Sequence, residues 1–121
     1  QTAAAGLDAF AGNTTRDMTA AAGEQAITGV GFQPAGILFL CCFDQDGNVA
    51  GWGIHSASAG ASFSTYPTGQ FANGSGVGLF VDGTNYQYMS SVSMDADGFT
   101  ITWDKGGSPT GTGHIMYLCL A

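Results

Sequence analysis

The chain has 121 residues, of which 45% are apolar and 9% are charged, and this composition predicts one folded domain and excludes global disorder. Its formal charge is −7, because Arg16 and Lys105 are the only cations against nine acidic residues. Two cations cannot neutralise the several phosphates that nucleic-acid binding requires, so we expect neither a nucleic-acid partner nor an anionic membrane partner.

The N-terminal segment, 1–24, is rich in alanine, threonine and glycine, and Leu7 and Phe10 are its main large hydrophobic residues. Threonine and glycine weaken helical propensity, so we interpret the segment as an extended N-terminal arm rather than a helix. The expected organisation is therefore an arm over 1–24 and one globular domain over 25–121.

From residue 27 onward, short apolar stretches alternate with turn dipeptides. The dipeptides are Asp-Gly at 46–47, 82–83 and 97–98 and Gly-Gly at 106–107, which supply the positive φ angles of tight hairpins. The apolar stretches are 27–32, 36–43, 48–55, 77–81, 86–94, 99–103 and 114–120. Short strands at this spacing predict an all-β chain, folded as an antiparallel, jelly-roll-like β-sandwich with the N-terminal arm attached.

The segment 55–76 is rich in glycine and serine and shows no hydrophobic periodicity. It is predicted to be a long surface loop with one strand over 62–66. Loops of this length often carry contacts with partners.

Two predicted strands are apolar on both faces. In 37–43, Leu38, Leu40 and Cys42 alternate with equally apolar neighbours, and 114–120 has the same pattern. A sandwich strand usually has one face in the core and one in water, so the second apolar face must also be covered. This pattern favours self-association, because a chain of this length has little spare material with which to cover two strands.

Candidate catalytic residues are few. The only general bases with pKa values near neutrality are His55 and His114, and the nearest serine nucleophiles are Ser56, Ser58 and Ser62. Their spacing matches no catalytic triad, and no Gly-x-Ser-x-Gly sequence is present. We therefore expect a protein that is not an enzyme.

Metal and cofactor sites have little support in the sequence. The pairs Asp44 with Asp46 and Asp95 with Asp97 offer oxygen ligands, but hairpin turns explain both Asp-x-Asp-Gly segments and the EF-hand pattern is not met. A structural cation near either pair is left open, and no cofactor is expected. The odd number of cysteines, Cys41, Cys42 and Cys119, within apolar runs favours buried free thiols over a disulfide framework.

A binding role is the alternative to a purely structural one. Trp52, Tyr86 and Tyr88 are predicted to be exposed aromatic residues that could stack on sugar rings. A receptor-binding or glycan-binding module would use such a platform.

Two segments resemble a known group of proteins. The sequence GVGFQP at 29–34, followed by the apolar stretch from Gly36, and the sequence DGFTITW at 97–103 resemble strand entries in tailed-bacteriophage virion proteins. A short closing strand at 114–120 completes the likeness, which extends in order over 25–121.

The resemblance implies a β-sandwich module displayed on the phage particle, without enzymatic activity. The chain has no long repetitive shaft, so we favour a capsid decoration or cement protein on the outer surface of the capsid over a fibre protein. The expected partners are the major capsid protein or other virion proteins, together with further copies of this chain, a trimer being favoured. The residues expected to anchor these contacts are Leu7, Phe10, Leu40, Phe63, Tyr66, Phe71 and Leu118.

Overall fold

The computed structural model describes residues 6–43, 49–66, 69–73 and 76–121. The strands are β1 Ala9–Asp17, β2 Gly23–Thr28, β3 Gly36–Phe43, β4 Ala50–Ser56, β5 Gly60–Tyr66, β6 Gly69–Asn73, β7 Gly78–Phe80, β8 Tyr86–Asp95, β9 Gly98–Gly106 and β10 Thr112–Leu120. In this part of the chain no helix is long and apolar enough to cross a membrane.

The strands form two antiparallel sheets that pack face to face, which confirms the predicted all-β sandwich. The six-stranded sheet has the order β1-β10-β3-β4-β5-β6, and the four-stranded sheet has the order β2-β9-β8-β7. The first strand pairs with the last, as in a jelly roll. In the middle of the chain, β3 to β6 follow one another within the six-stranded sheet.

The expected N-terminal arm belongs to the sandwich from residue 9 onward. Strand β1 pairs along its whole length with β10, and β2 begins at Gly23 and pairs with β9. The ring of Phe10 stacks on Tyr117 with ring centroids 6.4 Å apart. The threonines that weaken a helix are β-branched and favour a strand, so their presence did not by itself indicate an arm.

The predicted surface loop at 55–76 is also largely strand. Strand β5 extends the six-stranded sheet from residue 60, and β6 extends it further. The inward residues of β5 are Ser62 and Ser64, whose hydroxyls donate hydrogen bonds to the carbonyls of Gly76 (2.8 Å) and Gly78 (3.1 Å). Because polar residues occupy the inward positions, the strand has no apolar periodicity.

The core lies between the sheets. Its largest fully buried side chains include those of Trp103, Phe39 and Phe99. The rings of Phe39 and Phe99 meet edge to face with centroids 5.7 Å apart, and Tyr117 meets Phe99 in the same way at 5.1 Å. The inward positions of β4 and β5 include the small residues Gly51, Gly53, Ser62 and Ser64.

Candidate functional site: an apolar sheet face

The outer face of the six-stranded sheet carries large apolar side chains that nothing in the described structure covers. Leu40, Trp52, Ile54 and Met116 are each 54–57% exposed, and Leu38 is 40% exposed. Strand register places these side chains in two neighbouring rows across the sheet. One row is Ala11, Leu118, Leu38, Ile54 and Ala61, and the next is Asn13, Met116, Leu40, Trp52 and Phe63. We call these two rows the apolar face.

The strands β3 and β10 supply part of this face because they are apolar on both sides. Their inward residues, such as Ile37 and Ile115, are fully buried in the core, while Leu38 and Met116 point outward. A shallow apolar groove runs between β3 and β10, where Leu40 and Leu118 are among its lining residues. The second apolar surface that the sequence predicted therefore lies on the outside of the six-stranded sheet.

The strand β4 supplies the rest of the face for a different reason. Its inward positions include Gly51 and Gly53, which lie tightly against β5 and β7. A Cβ atom on Gly53 would lie 2.6 Å from the carbonyl oxygen of Ala61, and one on Gly51 would lie 2.7 Å from a methyl group of Val77. At these two positions only glycine fits inside, and the large residues Trp52 and Ile54 are on the outside.

The outer face of the four-stranded sheet is polar. Its exposed positions on β8 include Ser91, Ser93 and Asp95, and Thr102 and Asp104 lie on the neighbouring strand β9. The Thr100 hydroxyl donates a hydrogen bond to Asp95 at 2.6 Å. One outer face of the sandwich is therefore suited to water and the other to a partner.

Charge is almost absent from the apolar face. Among the described residues of the six-stranded sheet that point outward, Asp17 at the end of β1 carries the one formal charge. Its carboxylate accepts hydrogen bonds from the amide and hydroxyl of Thr19, which lower its pKa below the usual range. Neither row of the apolar face contains a charged residue.

Both cations of the chain serve the fold. Arg16 is buried, lies over the Trp103 ring at 5.3 Å, and donates hydrogen bonds to Gln87 (3.0 Å) and to the carbonyl of Ala21 (2.8 Å). Lys105 donates hydrogen bonds to the carbonyls of Thr19 and Ala20 at 3.1 and 3.2 Å. Burial lowers the pKa of Arg16, although the neighbouring Asp17 partly opposes that shift. Both side chains therefore hold the turn between β1 and β2.

The structure brings together three of the residues expected to anchor contacts. Leu40, Leu118 and Phe63 all lie on the apolar face, and Phe63 packs beside Trp52 with ring centroids 5.9 Å apart. Sequence reasoning did not select Ile54. The glycines at positions 51 and 53 of β4 were the signal that the residues between and beside them point outward.

Of the other four expected anchors, three lie elsewhere in the structure and the side chain of one is not described. Leu7 is exposed just before β1. Phe10 and Tyr66 are half-buried, Phe10 against the core and Tyr66 stacked on Phe80 at 5.8 Å, so neither is an exposed anchor. The side chain of Phe71 lies outside the described residues.

The proposed sugar platform is split between the two sheets. Trp52 lies on the apolar face, whereas Tyr86 and Tyr88 lie on β8 in the other sheet, with ring centroids 6.0 Å apart. The Tyr88 hydroxyl donates a hydrogen bond to Asp104 at 3.1 Å, which raises its pKa. The three aromatic residues therefore do not form one surface.

The histidines lie on opposite faces of the six-stranded sheet. His55 points inward, is buried, and meets the Phe39 ring edge-on with centroids 6.2 Å apart, while His114 is exposed on the outer face. Ser56 and Ser62 donate hydrogen bonds to the backbone carbonyls of Ala59 (3.3 Å) and Gly76 (2.8 Å), and the Ser58 amide donates to the Ser56 hydroxyl. The hydroxyls of Ser56 and Ser62 therefore serve the local fold.

The two segments that carry the phage resemblance contact each other through Asp97. One oxygen of its carboxylate accepts a hydrogen bond from the Gly31 amide at 2.6 Å, and the other accepts one from Gly29 at 3.1 Å. The Asp97 carbonyl also accepts one from the Val30 amide at 3.2 Å. Gly29 and Gly31 have φ angles of +84° and +92°, which glycine adopts readily. The paired segments thus form a clasp between the end of β2 and the β8–β9 turn.

The structure describes one of the two acidic pairs and all three cysteines. Asp95 and Asp97 both accept hydrogen bonds from protein groups, and no cluster of metal-ligating side chains occurs among the described residues. Asp44 and Asp46 lie outside the described residues. All three cysteines are free thiols, and two of them are buried as predicted. Cys42 differs, because it points outward from β3 and is exposed.

Comparisons of this chain with protein-family models, curated protein sequences and solved structures found no match.

Proposed function

We propose that this chain is a structural, non-enzymatic protein of a tailed-bacteriophage particle, which decorates and cements the outer surface of the capsid. The observation that carries the proposal is the apolar face, with its five large side chains 40–57% exposed. Continuous exposed apolar patches mark interaction surfaces, because burying them against a partner removes apolar area from water. A cement protein works in this way, by burying area across the joints of a shell.

The charge distribution supports the outer surface of a capsid over its interior. The chain has a net charge of −7, and both cations donate hydrogen bonds to the turn between β1 and β2. A surface of this kind repels packaged DNA. The resemblance of 29–34 and 97–103 to tailed-phage virion proteins supports a phage particle as the place where the chain acts.

The proposal is tested on particles from the source culture, purified on a density gradient and analysed by quantitative peptide mass spectrometry. We expect the chain to band with the particles in a fixed ratio to the major capsid protein. Particles without the chain, with the protein confined to the soluble fraction, would overturn the proposal.

A glycan-binding module of a tail or fibre is the second candidate. The observation that favours it is the pairing of Trp52, 55% exposed, with the half-buried Phe63 ring, since exposed aromatic rings can stack on sugars. A glycan array with the wild type and Trp52→Ala tests it. Binding of one sugar class by the wild type alone would favour recognition, and the absence of binding in both would count against it.

A further inference from the structure

We infer that the apolar face is covered by the same face of a second copy of this chain, so that two six-stranded sheets stack on each other. The inference goes beyond the proposed function, because the pairing can form whether or not the chain is part of a capsid. It names the partner of the face as the chain itself.

Charge complementarity favours an uncharged, apolar partner surface. The two rows of the apolar face contain no charged residue, whereas the rest of the molecule carries a net charge of −7. A charged partner surface would lose its hydration against these rows without gaining an ion pair. The chain itself presents a surface of the required chemistry.

The outer surface of the six-stranded sheet, with the apolar face at its centre, has the area that a stable pair needs. Six strands about 4.8 Å apart and about 25 Å long give a projected area of roughly 600 Å². Side-chain relief raises the accessible area above this value, toward the ~800 Å² per partner of a standard interface. A face-to-face pair therefore buries the outward rows beside the apolar face as well as the face itself.

The position of the face suits a two-fold arrangement. The centre of the six-stranded sheet lies between β3 and β4, and these two strands carry Leu38, Leu40, Trp52 and Ile54. A two-fold axis through this centre places the most exposed apolar side chains of both copies in the middle of the interface, where burial is most complete. Sheets already stack face to face within each copy, and the proposed contact repeats that packing.

The first test is the mass of the full chain in solution, measured by analytical ultracentrifugation over about three decades of concentration. Wild type is compared with Leu40→Glu, which places a carboxylate at the centre of the face. Ser93→Glu, on the exposed polar face of the other sheet, is the matched control because it changes the net charge equally. We expect a dimer for wild type and for Ser93→Glu, and a monomer for Leu40→Glu at all concentrations.

The second test uses the exposed thiol of Cys42, which lies one row away from Leu40 on the same side of the sheet. Cys41 and Cys119 are buried, so maleimide labelling of the native protein reports on Cys42. We expect its labelling rate to fall at least several-fold as the concentration passes through the association range. In Leu40→Glu the rate should be independent of concentration, and circular dichroism of the variant should match that of wild type.

The outcomes separate this inference from the proposed function. A dimer that Leu40→Glu dissociates supports the inference, whereas a trimer contradicts it, because one face that pairs with itself joins only two copies. A wild type that is monomeric at every concentration, or an oligomer that Leu40→Glu does not affect, overturns it. If the chain is monomeric but is found in particles, the pairing is wrong and the proposed capsid role is retained. If it pairs in solution but is absent from particles, the capsid role is wrong and the pairing is retained.

Discussion

Asp97 shows how one side chain joins two distant segments. Both of its carboxylate oxygens accept amide hydrogen bonds, from Gly29 and Gly31, and hydrogen bonds to a charged group contribute about 1.5–3 kcal/mol each when well formed. Asp97 is exposed, so water replaces part of each bond in the variant and the ordinary net value of about 1 kcal/mol per bond applies. We expect Asp97→Ala to lower the free energy of unfolding by about 2 kcal/mol, measured by urea denaturation.

Asp104→Ala is the matched control for this prediction. Asp104 is also an exposed carboxylate near the four-stranded sheet, but its hydrogen bond is to the exposed Tyr88 hydroxyl. We expect a change below about 0.5 kcal/mol for this variant. Equal losses for the two variants would show that the clasp contributes nothing specific.

Asp82 supplies a pH dependence at the turn between β7 and β8. Its carboxylate accepts hydrogen bonds from Thr84 and Asn85, through their amides and side chains, which lower its pKa to about 2. The unfolded carboxyl has a pKa of about 3.9, so folding favours the ionised form. Its stabilising effect is therefore fully present above about pH 5 and is lost as the pH falls through about 4 to 2.

This effect is measured by comparing wild type with Asp82→Asn. We expect wild type to be the more stable protein at pH 6, and the difference in unfolding free energy to shrink steadily toward pH 2. The carboxyl resonance of Asp82 in NMR should titrate near 2. A difference that does not change with pH would contradict the role given to the charged carboxylate.

At the scale of elements, β4 is defined by its inward glycines. A methyl group on Gly53 would lie 2.6 Å from the Ala61 carbonyl oxygen and 2.9 Å from both Ser62 and Val77. Overpacking of this kind costs about 1–3 kcal/mol. We expect Gly53→Ala to lower the thermal unfolding midpoint by several degrees, measured by differential scanning calorimetry.

Gly83→Ala is the control for the close packing of β4. Gly83 lies in the β7–β8 turn at a negative φ, and the nearest atom to an added Cβ is the Tyr66 hydroxyl at 3.7 Å. We expect a midpoint within about 2 °C of wild type, or slightly above it. A Gly53→Ala variant as stable as Gly83→Ala would show that the sheets can separate at β4 without cost.

The sequence predicts the elements whose hydrophobic pattern is local. The two-sided apolar pattern of β3 and β10 correctly indicates both a core side and a second apolar face. A strand was predicted over 62–66, within β5, but its hydrophobic pattern does not show which side faces the core, because Ser62 and Ser64 fill inward positions through hydrogen bonds to residues 76 and 78. The pairing of β1 with β10 is equally hidden, since it joins residues about a hundred positions apart.

The site was predicted only in part for the same reason. Leu40 and Leu118 follow from strands that are apolar on both faces, whereas the outward position of Ile54 depends on how closely β7 approaches β4. The separation of Trp52 from Tyr86 depends on which strands share a sheet. The first feature has a local signal in Gly51 and Gly53, whereas the second cannot be read before the topology is known.

At the scale of the whole molecule, charge and apolar surface are segregated. The acidic residues outnumber the cations by nine to two, and both cations donate hydrogen bonds to backbone carbonyls within the fold. Two copies that meet through the apolar face therefore repel each other through their remaining surfaces. The attraction is apolar, while the opposing force is electrostatic.

Because these two forces oppose each other, we expect the association of the copies to depend on salt concentration. Added sodium chloride screens the repulsion between chains of net charge −7, because the Debye length falls from about 30 Å at 0.01 M to about 10 Å at 0.1 M. The apolar contact contains no ion pair for salt to weaken. We therefore expect the dissociation constant of the wild-type oligomer, measured by ultracentrifugation, to fall several-fold over this range. Ser93→Glu, with one more negative charge, should show the larger decrease, and weaker association at higher salt would mean that ion pairs hold the copies together.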